Sequence, residues 1–281
     1  MFYKEFLRVR NFFVVFALVM MAIGLVVLLF SGHAKVSIGD DSPSTAQAEH
    51  AATADKFGPG PSQVHGTGIV ISNEPNEPFP ISALLAFAGL VAAIFATGIG
   101  CGLACENNGH LEIAWTRPAS RVGYAARLMA VDIAGILAIF AFTVLLCLGV
   151  IYAVGLQHYL ALDPKVGAVL ARFLVYPLAW YGIVCGLTAS VRGRAGAIAG
   201  FSWLGAAILL ALLDLKMPPV LHAIVKTLNY VNPLLYGNFA SGDEASRHIV
   251  QIGLPISIAA LSAIAVVGIA AALTQWRALE A

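Results

Sequence analysis

Charge is what this sequence has least of. Asp, Glu, Lys and Arg make up 11% of its 281 residues, against roughly 25% in soluble domains, so the chain lacks the polar surface that keeps a globular protein in water. A net charge of +1 creates no global field toward nucleic acid or a strongly acidic partner, and any partner must be recognised locally. Cysteine is scarce too. Cys101, Cys105, Cys147 and Cys185 lie within or at the edges of apolar runs rather than in the polar loops, so no disulfide framework is implied. Nothing matches G-x-x-x-x-G-K-[ST], H-E-x-x-H or G-x-S-x-G. That excludes the usual phosphate-cradling loop, the helical zinc-protease pair and the strained nucleophile turn, and the chain is not expected to be catalytic by itself.

What the chain has in quantity is apolar length. Hydrophobic residues make up 59% of it and gather into six runs, at residues 12–30, 81–105, 128–156, 166–190, 195–213 and 249–273. Each is about as long as the 20 residues a helix needs to cross hydrocarbon. In lipid only a helix or a closed barrel satisfies every backbone donor and acceptor, and these runs lack the two-residue alternation of barrel strands. An all-α integral membrane fold with six transmembrane helices is expected, with residues 1–281 forming one domain.

The first run follows the basic start MFYKEFLRVRN and precedes Gly32 and Ala34, a small-x-small pattern that a cleaved signal peptide also shows. Its 19-residue core exceeds the usual h-region of about 7 to 15 residues, so an uncleaved anchor is expected. At the start of the chain, Phe2, Phe6, Val9 and Phe13 recur at helical spacing while Lys4, Glu5 and Arg8 lie away from them, which marks residues 1–11. This pattern fits an interfacial amphipathic helix with its cations near headgroups, the alternative being that these residues simply begin the first span.

Lys and Arg set the expected orientation. Residues 1–11, 106–127, 191–194 and 274–281 carry nine basic residues in 45 positions, whereas residues 31–80, 157–165 and 214–248 carry six in 94. Both termini and the 106–121 segment are therefore expected in the cytoplasm of a cell membrane, bacterial inner or plasma membrane. Residues 31–80 are rich in Pro, Gly, Ser and Ala and read as a flexible external excursion, with GTGIVIS as its one strand-like stretch. Residues 214–248 are moderately apolar but broken by Pro218, Pro219 and Pro233. Short helices dipping back toward the external leaflet fit such a segment.

The polar run ENNGHLEIAWTRPASR, residues 106–121, is unusually well ordered in pattern for a loop. Gly109 breaks a short Glu-led segment, HLEIAWT has a turn or two of helical character, and Pro118 ends it. Ser120 then stands where a cap could start the next helix. A small helix held flat under the membrane, carrying Glu112 and Trp115, is suited to a groove in another protein.

In these residues the chain resembles the ABC-2 type permeases, the membrane subunits of ATP-binding cassette exporters. Their cytoplasmic coupling helix carries Glu, shortly afterwards Gly, then Leu-Glu, and later Thr or Ser before Pro-x-Ser-Arg. Glu106, Gly109, Leu111, Glu112, Thr116, Pro118, Ser120 and Arg121 occupy those places, with Trp115 on the same helix. Asn107 and Asn108 depart from the charged residues often found there, and the first external loop is longer than in many members. The resemblance implies that residues 106–121 dock on a separate ATP-binding subunit, which would bind the ATP and Mg that this chain does not. It also implies a second permease copy, identical or similar, because six spans supply half of such an exporter.

Four residues are candidates for the pathway or gate. Asp132 stands four residues into the third run, where an acid should face protein or water, with Arg127 or Arg194 as partner. Arg172 can snorkel outward from the fourth run and Pro177 is expected to kink it, while Pro233 breaks the last external segment. Cys101, Cys105 and His110 are more simply packed thiols and a loop histidine than a metal site, since no fourth ligand is near. The rival readings are a secondary transporter, which should show paired repeats and several intramembrane charges, and a structural membrane protein without an ATPase partner.

Overall fold

The computed structural model of the chain describes residues 2–31, 79–106, 121–161, 164–191, 193–237 and 253–278. Helix α1 (Phe2–Ser31) runs for 30 residues. Residues 2–11, expected as a separate interfacial helix, are its first turns, because no Gly or Pro interrupts the helix before Gly24. Strand β1 (Phe79–Pro80) leads directly into α2 (Ile81–Gly100), and a turn at Cys101 separates α2 from the short α3 (Gly102–Glu106). Helix α4 (Arg121–Val154) has 34 residues, about 51 Å at 1.5 Å per residue. That exceeds the roughly 30 Å hydrocarbon thickness, so α4 projects well beyond it.

Gly155, at φ 79°, ends α4 in the left-handed region that glycine alone adopts without cost. A 3₁₀ turn (Leu156–Tyr159) then leads to β2 (Leu160–Ala161), whose two residues pair in parallel with β1. Next come α5 (Val166–Thr188), α6 (Ala195–Ala211), a 3₁₀ turn (Leu212–Asp214), α7 (Pro219–Asn229), α8 (Pro233–Gly237) and α9 (Leu254–Ala278). Pro219 and Pro233 each open a helix, where their missing N–H costs nothing. Among the described residues five helices, α1, α2, α4, α5 and α9, are long and apolar enough to cross a membrane, and α6 is a shorter apolar helix of 17 residues. The chain is thus a nearly all-helical, multi-pass membrane protein.

Residue contacts give each helix its direction. Along α1 and α4 the numbers rise together, from Arg8 beside Asp132 through Phe13 on Phe142 to Gly24 beside Val150, so the two run parallel. They rise together along α2 and α5, from Gly89 against Phe173 to Gly100 against Val184, and along α5 and α9, where Gly182 meets Ala265 and Gly186 meets Gly268 and Ala271. Phe12 and Phe16 reach Phe95 while Arg8 reaches Gly102, which makes α1 antiparallel to α2. Helix α6 starts beside Val184 and ends in the cluster that holds Tyr176 and Leu235, so it runs antiparallel to α5.

Helix α5 is the centre of the bundle, packed on α2 and α9 along most of its length. Trp180 stacks on Trp203 of α6 with ring centroids 4.0 Å apart and planes 7° apart. The Trp203 indole donates to the Thr97 hydroxyl of α2 at 2.8 Å. Glycine allows the closest approach: a Cβ at Gly182 would lie 2.7 Å from the Ala265 carbonyl, and one at Gly268 would strike the Gly182 backbone. Without a hydrophobic drive between helices in lipid, such close backbone packing supplies the association.

Candidate functional site

Two polar nodes sit on α5, nine residues apart and on either side of Pro177. The proximal node, at the end of the bundle where α3 stops and α4 begins, is built around Asp132. This residue is the twelfth of α4, about 16 Å along it, and is 1% exposed. Its Oδ1 accepts a 2.7 Å hydrogen bond from Arg8 Nη2, and its Oδ2 accepts one from the Tyr181 hydroxyl at 2.9 Å. An aspartate in an apolar bundle is held only when paired and hydrogen-bonded, and here a charged and a neutral donor satisfy both oxygens.

The expected partners, Arg127 and Arg194, are both exposed at the surface. Arg127 lies five residues before Asp132 on the same helix, about 140° around it, so it faces away. Arg8 arrives instead from α1, where it had been expected to face headgroups. Its guanidinium occupies the space that a side chain at Gly102 would fill, so one cation touches the first residue of α3 and the acid of α4. One turn beyond Tyr181, the Cys185 thiol donates to the Gly100 carbonyl at 3.4 Å, which adds a link between α5 and α2 at the same level.

The distal node holds the hairpin α7–α8. Arg172 of α5 donates from Nε to the Tyr236 carbonyl at 2.7 Å, with Nη2 on the same oxygen, and its guanidinium lies 5.1 Å from the Phe173 ring centroid. This grip on α8 gives the Arg172 guanidinium a backbone partner within the protein. Asn229 donates to the Leu209 carbonyl at 2.7 Å and Asn232 to the Ala206 carbonyl at 2.8 Å, which ties the hairpin corner to the end of α6. The Asn232 side-chain oxygen accepts from the Leu234 N–H at 3.0 Å and caps α8, with Pro233 buried behind it.

Pro177 lies between the nodes and is buried, and α5 continues through it as one helix. Its ring removes the N–H that would bond the Phe173 carbonyl. That oxygen lies 3.2 Å from where a Cβ at Gly89 would be, so the glycine makes room for it against α2.

Of the expected docking residues, Glu106 closes α3 and Arg121 opens α4. Gly109, Leu111, Glu112, Trp115, Thr116, Pro118 and Ser120 lie outside the described residues, as do His110 and the GTGIVIS stretch. Tyr181, Asn229 and Asn232 were not singled out by sequence reasoning, and Arg8 only as a cation near headgroups. Only the spacing NYVNP carried a signal for any of them, since Asn before Pro favours a turn. Cys101 donates to the Thr97 carbonyl at 3.8 Å as a packed thiol, and no group of three metal-ligating side chains forms among the described residues.

An apolar cavity of about 390 Å³ opens between α1, α2 and α4, walled by Met20, Ile23, Val27, Phe87 and Leu146. It presents hydrocarbon and a single thiol, Cys147, and gives no polar group on which chemistry could turn. The hydrogen bonds of the two nodes hold helices in fixed relation. Compared with known proteins, the chain matches no family model, no curated protein sequence and no solved structure.

Proposed function

We propose that this chain is the permease subunit of an ATP-binding cassette exporter of the ABC-2 type, moving a substrate outward with ATP hydrolysed on a separate subunit. The observation that most supports this reading is the alternation of helix direction. Helices α1, α4 and α6 run one way and α2, α5 and α9 the other. For α5 and α9 to lie parallel, the chain between them must return to the level at which α5 begins. Helix α6 makes that return: its 17 residues cover about 26 Å, and the following 3₁₀ turn extends it toward the roughly 30 Å of a span.

Six crossings put both ends of the chain on one side. The Lys and Arg distribution assigns that side to the cytoplasm, so residues 106–121 face a cytosolic partner and α7–α8 faces outward. In this reading Glu106, Gly109, Leu111, Glu112, Trp115, Thr116, Pro118, Ser120 and Arg121 form the docking segment, and a second permease copy completes the transporter. ATP and Mg stay with the ATP-binding subunit.

The test is Glu112→Arg at matched expression. Wild-type chain should capture an ATP-binding subunit encoded beside it and stimulate its ATPase in vesicles. Reversing a charge at a desolvated contact should weaken capture by a few kcal/mol, 100-fold or more in affinity, with insertion unchanged. Normal capture and coupling by the mutant would remove Glu112 from the interface. A wild-type chain that retains no ATP-binding protein would remove the permease reading.

A further inference from the structure

We propose that α5 is a relay between the two ends of the bundle, with Tyr181 as the positioning residue that joins the proximal ion pair to the distal hairpin. The proposal rests on the permease reading only for what it would transmit; the relay itself rests on contacts within the chain.

At the proximal end, one guanidinium links α1, the first residue of α3 and the acid of α4, and the Tyr181 hydroxyl is what ties that acid to α5. Helices α3 and α4 are the two flanks of residues 107–120, so a displacement of either flank acts on the Arg8–Asp132 pair. Tyr181 is fully buried, and Gly100 lets α5 lie so close to α2 that a Cβ there would sit 2.9 Å from Val184. The phenol therefore has little room to change partner without moving its helix.

Nine residues earlier, about 13 Å along the helix, Arg172 of the same α5 grips α8 through the Tyr236 carbonyl. That carbonyl belongs to a hairpin held otherwise by Asn229 and Asn232 on α6, whose Trp203 stacks on Trp180 of α5. The hairpin is thus referred to α5 through Arg172 and through α6. Pro177 stands between Tyr181 and Arg172 with its own helical hydrogen bond removed and the Phe173 carbonyl against Gly89. A bend of α5 has a defined place there. Coupling of this kind needs an element with two arrangements that both ends bias, and a buried helix with a polar grip on each side of a proline is built for that.

The test uses the full chain with its four native cysteines replaced, and needs no ATP-binding subunit. Leu235→Cys places a thiol at a buried position of α8, 7% exposed, and Leu85→Cys serves as a reference at a buried position of α2, 4% exposed. Each is reacted in vesicles with a membrane-impermeant maleimide. Arg172→Gln should raise the labelling rate at position 235 several-fold by releasing the hairpin directly. Tyr181→Phe and Asp132→Asn, which keep side-chain shape and make no contact with the hairpin, should each raise it at least threefold and leave position 85 unchanged.

A rise at both positions would mean general loosening and would overturn the relay. So would no rise at position 235 in Tyr181→Phe and Asp132→Asn, or no rise there in Arg172→Gln. Failure here leaves capture of an ATP-binding subunit untouched, and failure of that capture leaves these labelling rates untouched, so the two proposals fail separately.

Discussion

At the scale of single residues, the buried carboxylate of Asp132 is the most exacting feature of the molecule. Asp132→Ala takes from the Arg8 cation its 2.7 Å carboxylate partner. Removing one member of a fully buried pair costs about 3–5 kcal/mol; because Arg8 is 30% exposed, solvent takes up part of that and about 1–3 kcal/mol is expected. The mutant should lose thermal stability in detergent. Asp132→Leu should insert at least as well as wild type, since an acid is costly in a span, yet still lose stability. Arg8→Met combined with Asp132→Leu should recover most of the loss, because two apolar side chains replace both charges. A double mutant no more stable than Asp132→Ala would show that the pair is not the unit. At the other node, Asn232→Ala removes the cap of α8 and the bond to the Ala206 carbonyl, a loss of about 1–2 kcal/mol readable in the same melt.

At the scale of elements, glycines separate contacts that are closed from faces that are open. Gly182→Leu must drive α5 from α9, because even a Cβ there lies 2.7 Å from a backbone oxygen that cannot yield. Overpacking of this kind costs about 1–3 kcal/mol or more, and expression of folded chain should fall. Gly200→Ala on α6 should be neutral or stabilising, since nothing lies within 4 Å of the added methyl and alanine favours helix by about 1 kcal/mol. Size-exclusion profiles and detergent melting of the two mutants side by side check both signs. Pro177→Ala should restore a hydrogen bond to the Phe173 carbonyl and stiffen α5 without loss of stability.

At the scale of the whole molecule, the direction of the helices together with the Lys and Arg distribution predicts sidedness. Single cysteines at positions 108 and 193 should react with an impermeant reagent only after the cytoplasmic face is opened, and those at positions 56 and 243 should react in intact cells. Labelling of position 108 from outside would sink the topology and the docking role of residues 106–121 with it. Position 243 is the most telling of the four. It follows α6, and it faces the side opposite to position 108 only if α6 makes a full crossing.

Apolar runs bounded by Gly and Pro were legible without coordinates, because a chain in lipid must satisfy its backbone within each helix and writes that need locally. The positions of α2, α4, α5 and α9 followed from it, as did the Pro-broken stretch that holds α7 and α8. The split between a first span and an interfacial helix was not legible, since amphipathic spacing looks alike at the start of a long helix and on a membrane surface; packing of Val9 and Arg8 on α4 decided it. The presence of an acid at Asp132 was plain, and so was its need of a partner. Which partner it takes could not be read, because helical spacing orders neighbours only along one helix. Arg8 and Tyr181 are 124 and 49 residues away in sequence. They meet Asp132 because glycines at 135, 102 and 100 let the helices that carry them close to a distance that a side chain can bridge, and that closeness is a property of the assembled bundle.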